Sequence, residues 1–258
     1  MRAYISESSI ISAFLTCESE SRLIELMHRS THDLGFDYFA MGHHVDLINP
    51  PDEAMRITNY HPEWIERAVN NRFFIDDPVH HASTRTAIGF LWSDLKKLVT
   101  LSDRQKMILR AAGGYGLREG YTVPVHVPGE YRGTCSFGGS ETHRLRPESL
   151  PIANLVGIYA FEAARSILRR CTKGSRHGDV PKLTQRQRDT LVLVGRGKAD
   201  GEIASLMGIS RATAHEHVEN VRRIYGNAQR PNLIARALFD GQISFSEVLA
   251  GRRLHAWS

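Results

Sequence analysis

Leu183-Thr184-Gln185-Arg186-Gln187, then Gly197-Lys198-Ala199-Asp200-Gly201-Glu202-Ile203-Ala204, then Gly208-Ile209-Ser210-Arg211-Ala212-Thr213-Ala214 mark three helix starts at short intervals. Thr184 with Gln187 three residues on fits a capping box, in which each side chain takes up a backbone N–H of the first turn, and apolar Leu191, Leu193 and Val194 follow. A helix is therefore expected over about 185–196, stopped by Gly195-Arg196-Gly197. Ile203, Ala204, Leu206 and Met207 form the apolar side of a short second helix, with Asp200 as its expected N-cap and Gly208 as the residue able to take positive φ at its end. Ser210 is expected to cap a third helix, whose Ala214, Val218, Val221 and Tyr225 recur at i, i+4, i+7 and i+11. Two helices joined by a glycine turn, the second packed by a narrow apolar stripe, have the layout of a helix-turn-helix.

The third helix turns Ala212, His215, Glu216, Glu219 and Arg223 away from its stripe. A polar face of this kind fits the major groove of DNA, and Lys198, Arg211, Arg222 and Arg223 are placed to approach phosphates, which contribute affinity but no sequence information. The other reading of the same pattern is a solvated helix in an unrelated three-helix domain.

The charge distribution separates the chain into two parts. The sequence has 258 residues and a net charge of +5, and residues 181–258 alone hold twelve basic and seven acidic side chains, so the whole excess sits in the last third. A basic module on a neutral body suggests a polyanion-binding head carried by something with another task. The 41% apolar composition suffices for two ordinary cores. The start Met1-Arg2-Ala3-Tyr4-Ile5-Ser6 lacks an apolar signal core and no run of about 20 apolar residues occurs, so a cytoplasmic protein without a membrane segment is expected. Cys17, Cys135 and Cys171 form no CxxC, which predicts reduced, partly buried thiols with neither a disulfide framework nor a zinc site.

Residues 150–170 read as one long amphipathic helix, and the polar, breaker-rich stretch Cys171 to Pro181 reads as a linker. The expected domains are thus 1–170, a linker over 171–181, and 182–258. Within the first domain helical patterns fall at about 7–16, 20–34, 62–71, 102–113 and 150–170, with β-like runs at about 37–45, 55–60, 88–93, 120–127 and 133–138. One sheet with helices on both faces is the economical packing, and a ligand cavity is easily left in such a layer.

Leu183-Thr184, Gly197, Glu202-Ile203-Ala204, Ile209-Ser210, Thr213 and His217 stand at the spacing of the helix-turn-helix domain of LuxR-family transcription factors, which this region resembles over about 60 residues. Gln187 stands where that family usually has glutamate, Ala199 where it has Ser or Thr, and Tyr225 where it has leucine. Tyr60, Trp64, Asp77-Pro78, Trp92, Gly116, Gly120 and Ser136 are similarly spaced to the acyl-homoserine-lactone-binding domain of the same family. The resemblance implies an α+β fold, with an N-terminal α-β-α sandwich sensor domain and an all-α helix-turn-helix C-terminal domain.

It also implies roles. Asp77 would accept the ligand's amide N–H, Trp64 would donate to the lactone carbonyl, Tyr60 and Ser136 would meet the acyl carbonyl, and Trp92 would wall the ring. Gly120, Ala40 and Ala68 belong to the same ligand-binding set, and at Ala68 many relatives carry an aromatic that lines the acyl tail. Lys198, Arg211, Ala212, Thr213, His215, His217, Glu219, Arg222 and Arg223 form the implied DNA-binding set. Burying one amide N–H and two carbonyls requires one acceptor and at least two donors, which these side chains supply. Read without the resemblance, Trp64 and Trp92 are core aromatics, Asp77-Pro78 starts a turn or helix, and Tyr60 and Ser136 are surface hydroxyls.

The implied protein is a homodimeric regulator that binds an N-acyl-homoserine lactone and an inverted-repeat operator in double-stranded DNA, with no cofactor and no catalytic role. The alternative is a response-regulator-type DNA-binding protein with a different N-terminal input, although the acidic residues of the first 50 positions lack the arrangement of a phospho-receiver. An enzyme finds no nucleophile elbow. His43-His44 and His80-His81 suggest a metal only weakly, because neighbouring residues on a strand point to opposite faces.

Overall fold

The computed structural model describes residues 7–52, 54–127, 130–140, 148–171 and 181–249. The chain divides into two compact units, the division falling near residue 175. The expected linker lies almost wholly outside the described residues.

The first unit is built on a five-stranded sheet, β1 (Tyr38–His43), β2 (Arg56–Thr58), β3 (Phe90–Leu91), β4 (Glu119–Val125) and β5 (Gly133–Gly139), in the order β2-β1-β5-β4-β3. Every pairing is antiparallel, and one row of the register runs Thr58, Ala40, Ser136, Thr122, Phe90. Successive side chains on a strand point to opposite faces. Phe39 and Met41 of β1, Tyr121 and Val123 of β4, and Cys135 and Phe137 of β5 therefore share one face, buried against Leu23 and Met27 of α2 (Glu20–Asp33) and Val156, Ala160 and Phe161 of the long α7 (Ser149–Cys171). α1 (Glu7–Leu15) joins this layer through Phe14. Gly157 lets α7 lie close to the sheet, since a Cβ there would come 2.8 Å from Val123 Cγ2.

The middle of the opposite face carries Ala40, Gly120, Thr122, Ser136 and Gly138, all small, with the larger Tyr38 and Phe90 at its margins. Over it lies a second apolar cluster of Trp64, Phe73, Ile108, Ala112 and Leu117 from α3 (Pro62–Asn70), a 3-10 turn at Phe73–Ile75, α6 (Asp103–Gly113) and the segment that follows it. Two short helices, α4 (Pro78–Ser83) and α5 (Leu95–Leu98), add Val79, Ala82 and Leu95 in a third cluster. The sandwich expected from the sequence is therefore present, with four of its five strands shorter than expected and β5 one residue longer. Residues 88–93 yield only Phe90–Leu91 as strand, because the chain turns into a 3-10 helix at Trp92–Asp94. Helices α4 and α5 show no helical period in the sequence because six and four residues are too few to display one, and only the Asp77-Pro78 start of α4 was legible. Of the cysteines, Cys17 and Cys135 are buried and Cys171 is exposed, where a partly buried thiol was expected.

The second unit is all helical: α8 (Gln185–Gly195), α9 (Asp200–Met207), α10 (Arg211–Ile224), α11 (Arg230–Phe239) and α12 (Phe245–Val248). The capping box of Thr184 and Gln187 forms, Gly208 takes φ +67° at the end of α9, and Ser210 accepts from the Thr213 N–H at 3.1 Å. Ala214, Val218, Val221 and Tyr225 are buried as the stripe requires. Asp200 is not the cap of α9. Ala199 holds that position, and the carboxylate of Glu202 accepts its backbone N–H at 2.9 Å, the half of a capping box that needs no hydroxyl on the cap residue. Beyond the three starts read from the sequence, α11 completes the core with Leu233 and Ala237, and α12 packs Val248 against it.

A Cβ at Gly120 would stand 2.5 Å from Trp92 Cε2 and 2.6 Å from the Phe137 carbonyl oxygen. Gly120→Ala is expected to cost about 1–3 kcal/mol, the usual penalty of overpacking, read as a lowered unfolding midpoint of the full chain in urea. An unchanged midpoint would mean that Trp92 does not lie on this strand.

Candidate functional site

The small-residue face of the sheet is a floor on which polar groups converge. Tyr60 precedes α3, Trp64 lies within it, and both join one cluster with Ala68, Trp92 and Tyr38. Trp64 is 8% exposed and its ring stands 5.9 Å from Phe73 and 5.7 Å from Tyr115. Its indole N–H makes no hydrogen bond among the described residues, and neither does the hydroxyl of Tyr60. Burial, then the nearby Asp77 carboxylate, pushes the Tyr60 phenol well above its ordinary range, so it keeps its proton and remains a donor.

Asp77 has two jobs available to two oxygens. Oδ1 accepts from the N–H groups of Val79 at 2.8 Å and His80 at 3.4 Å, so the residue caps α4 with Pro78 at the first helical position. The reading of Asp77-Pro78 as a helix start is thus correct in itself. It leaves Oδ2, whose nearest recorded partner is His80 Nε2 at 3.9 Å, too long for a hydrogen bond.

Trp92 donates from Nε1 to Thr122 Oγ1 at 2.9 Å, and Thr122 Oγ1 lies 2.8 Å from Ser136 Oγ. If Thr122 accepts from Trp92 and donates to Ser136, the Ser136 proton is left for a third group. Thr122 went unread in the sequence, though it stands at i+2 from Gly120 on the same strand face, and that period was the available signal. Ala40 pairs with Ser136 in the register, and Gly120 makes room for the Trp92 ring. All eight sequence-derived residues therefore fall in one neighbourhood. A separate hollow of about 440 Å³, bordered by Ile88, Tyr121, Leu150 and Asn154, contains none of them. Converging unpaired donors and an acceptor, not the size of a hollow, locate the site.

The histidines sort as strand geometry requires. His43 faces Phe161, with ring centroids 5.5 Å apart, while His44 turns the other way and stands 3.1 Å from Thr134 Oγ1. No metal-holding group of His, Cys, Asp or Glu occurs among the described residues. No helix among them is long and apolar enough to cross a membrane.

In the helical unit Arg211, Ala212, His215, Glu216 and Arg223 are exposed, and Lys198, Thr213, His217, Glu219 and Arg222 are partly buried. Several are committed within the fold. Arg222 donates to Glu219 at 2.7 Å and to the Ala228 carbonyl at 3.0 Å, Lys198 pairs with Glu202 at 2.8 Å, and Arg223 donates to Asn220 at 2.6 Å. His215 Nδ1 lies 2.8 Å from Asp200 Oδ2, and Arg230 pairs with the other Asp200 oxygen. Asp200 therefore ties α9 to α10 and α11. Among the described residues Arg211 makes no side-chain contact of this kind, and it stands exposed at the start of α10.

The family model described as the autoinducer binding domain matches residues 19–164. The transcriptional activator protein AhyR of Aeromonas hydrophila is 28% identical over 233 residues, covering 88% of this chain and 88% of that protein. The quorum-sensing regulator RhlR of Pseudomonas aeruginosa is 26% identical, covering 77% and 80%. Escherichia coli SdiA shares the fold at 20% identity, with a TM-score of 0.64 over 92% of this chain and 97% of that one. SdiA in complex with octanoyl-rac-glycerol superposes with a TM-score of 0.66, again at 20% identity, covering 95% and 98%.

Burial works against ionisation of Asp200, but the hydrogen bond with His215 and the charge of Arg230 outweigh it and hold the carboxyl below its ordinary range. A depressed folded-state value contributes stability above the unfolded value near 3.9, lost as pH falls through the folded one. Asp200→Asn should therefore lower the melting temperature of the helical unit at neutral pH, with the gap to the parent closing as pH drops below about 4. A gap that widens with acid would refute the assignment.

Proposed function

Since the chain belongs to the autoinducer-binding family and is a LuxR-type quorum-sensing transcriptional regulator, we propose that its first unit binds an N-acyl-homoserine lactone on the small-residue face of the sheet. The observation that carries this reading is the set of groups left unpaired there: one carboxylate oxygen of Asp77, the indole N–H of Trp64 and the hydroxyl of Tyr60. One acceptor and two donors complement one amide N–H and two carbonyls. In this reading Asp77 Oδ2 takes the amide N–H, Trp64 donates to the lactone carbonyl, and Tyr60 with Ser136 meets the acyl carbonyl. Trp92 walls the ring while Thr122 holds it in place, Gly120 and Ala40 keep the floor low, and Ala68 leaves room for the tail.

The proposed domains are 1–170 for the sensor, 171–181 for the linker and 182–258 for the DNA-binding part. Ligand that binds only the folded sensor stabilises it by about 2.7 kcal/mol at a hundredfold excess over Kd, which favours an ordered dimer. Two α10 helices about 34 Å apart would then read the half-sites of an inverted repeat. Arg211 supplies a phosphate contact, and the exposed Ala212, His215 and Glu216 lie nearest the bases, with Thr213, His217, Glu219 and Arg223 beside them and Lys198 and Arg222 more firmly held by neighbours.

Asp77→Asn isolates the ligand role, because asparagine caps a helix as well as aspartate does but brings no charge. The loss of a charged hydrogen bond costs roughly 1.5–3 kcal/mol, so lactone affinity in a calorimetric titration should fall about 10- to 100-fold. Affinity unchanged by the substitution removes Asp77 from the site. Arg211→Ala should weaken binding to operator and to random duplex alike and reduce the slope of affinity against salt by about one. A loss confined to the operator would instead mark Arg211 as a base reader.

A further inference from the structure

Next to the Asp77 carboxylate stands a histidine pair that the reading above does not use. The rings of His44 and His80 stack with centroids 3.7 Å apart and planes at 18°. His44 is anchored to Thr134, which lies on the small-residue face two positions before Ser136. Burial first, then His80, His126, His43 and Arg132, holds the His44 imidazole far below its ordinary range, so it is an uncharged backing for its neighbour. His126, beyond Thr122 and Pro124 on the same face, is tied to the Ser83 carbonyl at 3.0 Å, at the end of the helix that carries His80.

The two nitrogens of His80 are placed differently. Nδ1 is buried without a hydrogen-bond partner among the described residues. A bare acceptor in such a place costs less than an orphaned N–H, which favours the tautomer with its proton on Nε2. Nε2 is the atom 3.9 Å from Asp77 Oδ2. The N–H that this tautomer presents is uncommitted and lies beside the oxygen assigned to the ligand's amide.

Amide geometry says what passes there. A secondary amide is planar and trans, so the acyl chain leaves on the same side as the N–H. A ligand whose N–H is taken by Asp77 thus carries its first acyl carbons past His80. A saturated chain would cover this N–H and strand it, whereas an oxygen on the chain would accept it.

Resting on the lactone reading of the site, we infer that His80, backed by His44, is a specificity-determining residue that selects acyl chains bearing a keto or hydroxyl oxygen close to the amide over unsubstituted chains. The test titrates the full-length protein with N-octanoyl-, N-(3-oxooctanoyl)- and N-(3-hydroxyoctanoyl)-homoserine lactone. The oxygenated ligands should bind at least tenfold tighter than the plain one. His80→Leu should abolish that preference, by weakening the oxygenated ligands and relieving the stranded N–H against the plain one, and His80→Asn, which retains a donor, should restore part of it. Equal or tighter binding of the plain chain to the parent overturns this inference and leaves the lactone site standing. Binding of none of the three removes both. An oxygen preference that survives in His80→Leu overturns the role of His80.

Discussion

The sensor unit depends on the alternation of an antiparallel sheet. One face presents Phe39, Met41, Val123, Cys135 and Phe137 to α2 and α7, where burial of large apolar side chains, roughly 1.5–3 kcal/mol each, supplies the stability of the unit. The other face presents Ala40, Gly120, Thr122, Ser136 and Gly138, which fill little volume and leave the aromatic layer above them to be completed. A shift of register by one residue would exchange the two faces and destroy both the core and the floor.

On that floor the decisive property of a group is whether the fold has already used it. Trp92, Thr122 and Ser136 are linked to one another and so are held in place. Asp77 spends one oxygen on the start of α4 and keeps the other, a division that fixes the carboxylate without neutralising it. Binding groups held by their own neighbours lose little entropy when a ligand arrives, the usual route to affinity without large area.

The helical unit follows the same logic with charge. Asp200 collects His215 and Arg230 and thereby couples α9 to α10 and α11. Arg222, Arg223 and Lys198 are drawn into local contacts on their own helices or turns, whereas Arg211 at the start of α10 has no such contact among the described residues.

Much of this was legible in the chain itself, and the limit has a physical origin. Helix periods, the Thr184–Gln187 box, the Ser210 cap and the positive φ of Gly208 arise from interactions within four residues, so the order of amino acids alone determined the recognition helix, the long α7 and the alternating strands. The same local reasoning misassigned the cap of α9 to Asp200, since only the fold brings His215 and Arg230 to that carboxylate. It also missed Thr122, whose partners Trp92 and Ser136 stand 30 and 14 residues away, and the stack of His44 on His80. Which residue types gather on the small-residue face was set by the sequence. Which of their atoms remain unpaired was decided by the tertiary structure, because a hydrogen-bonding group is free or engaged only according to what distant segments place beside it.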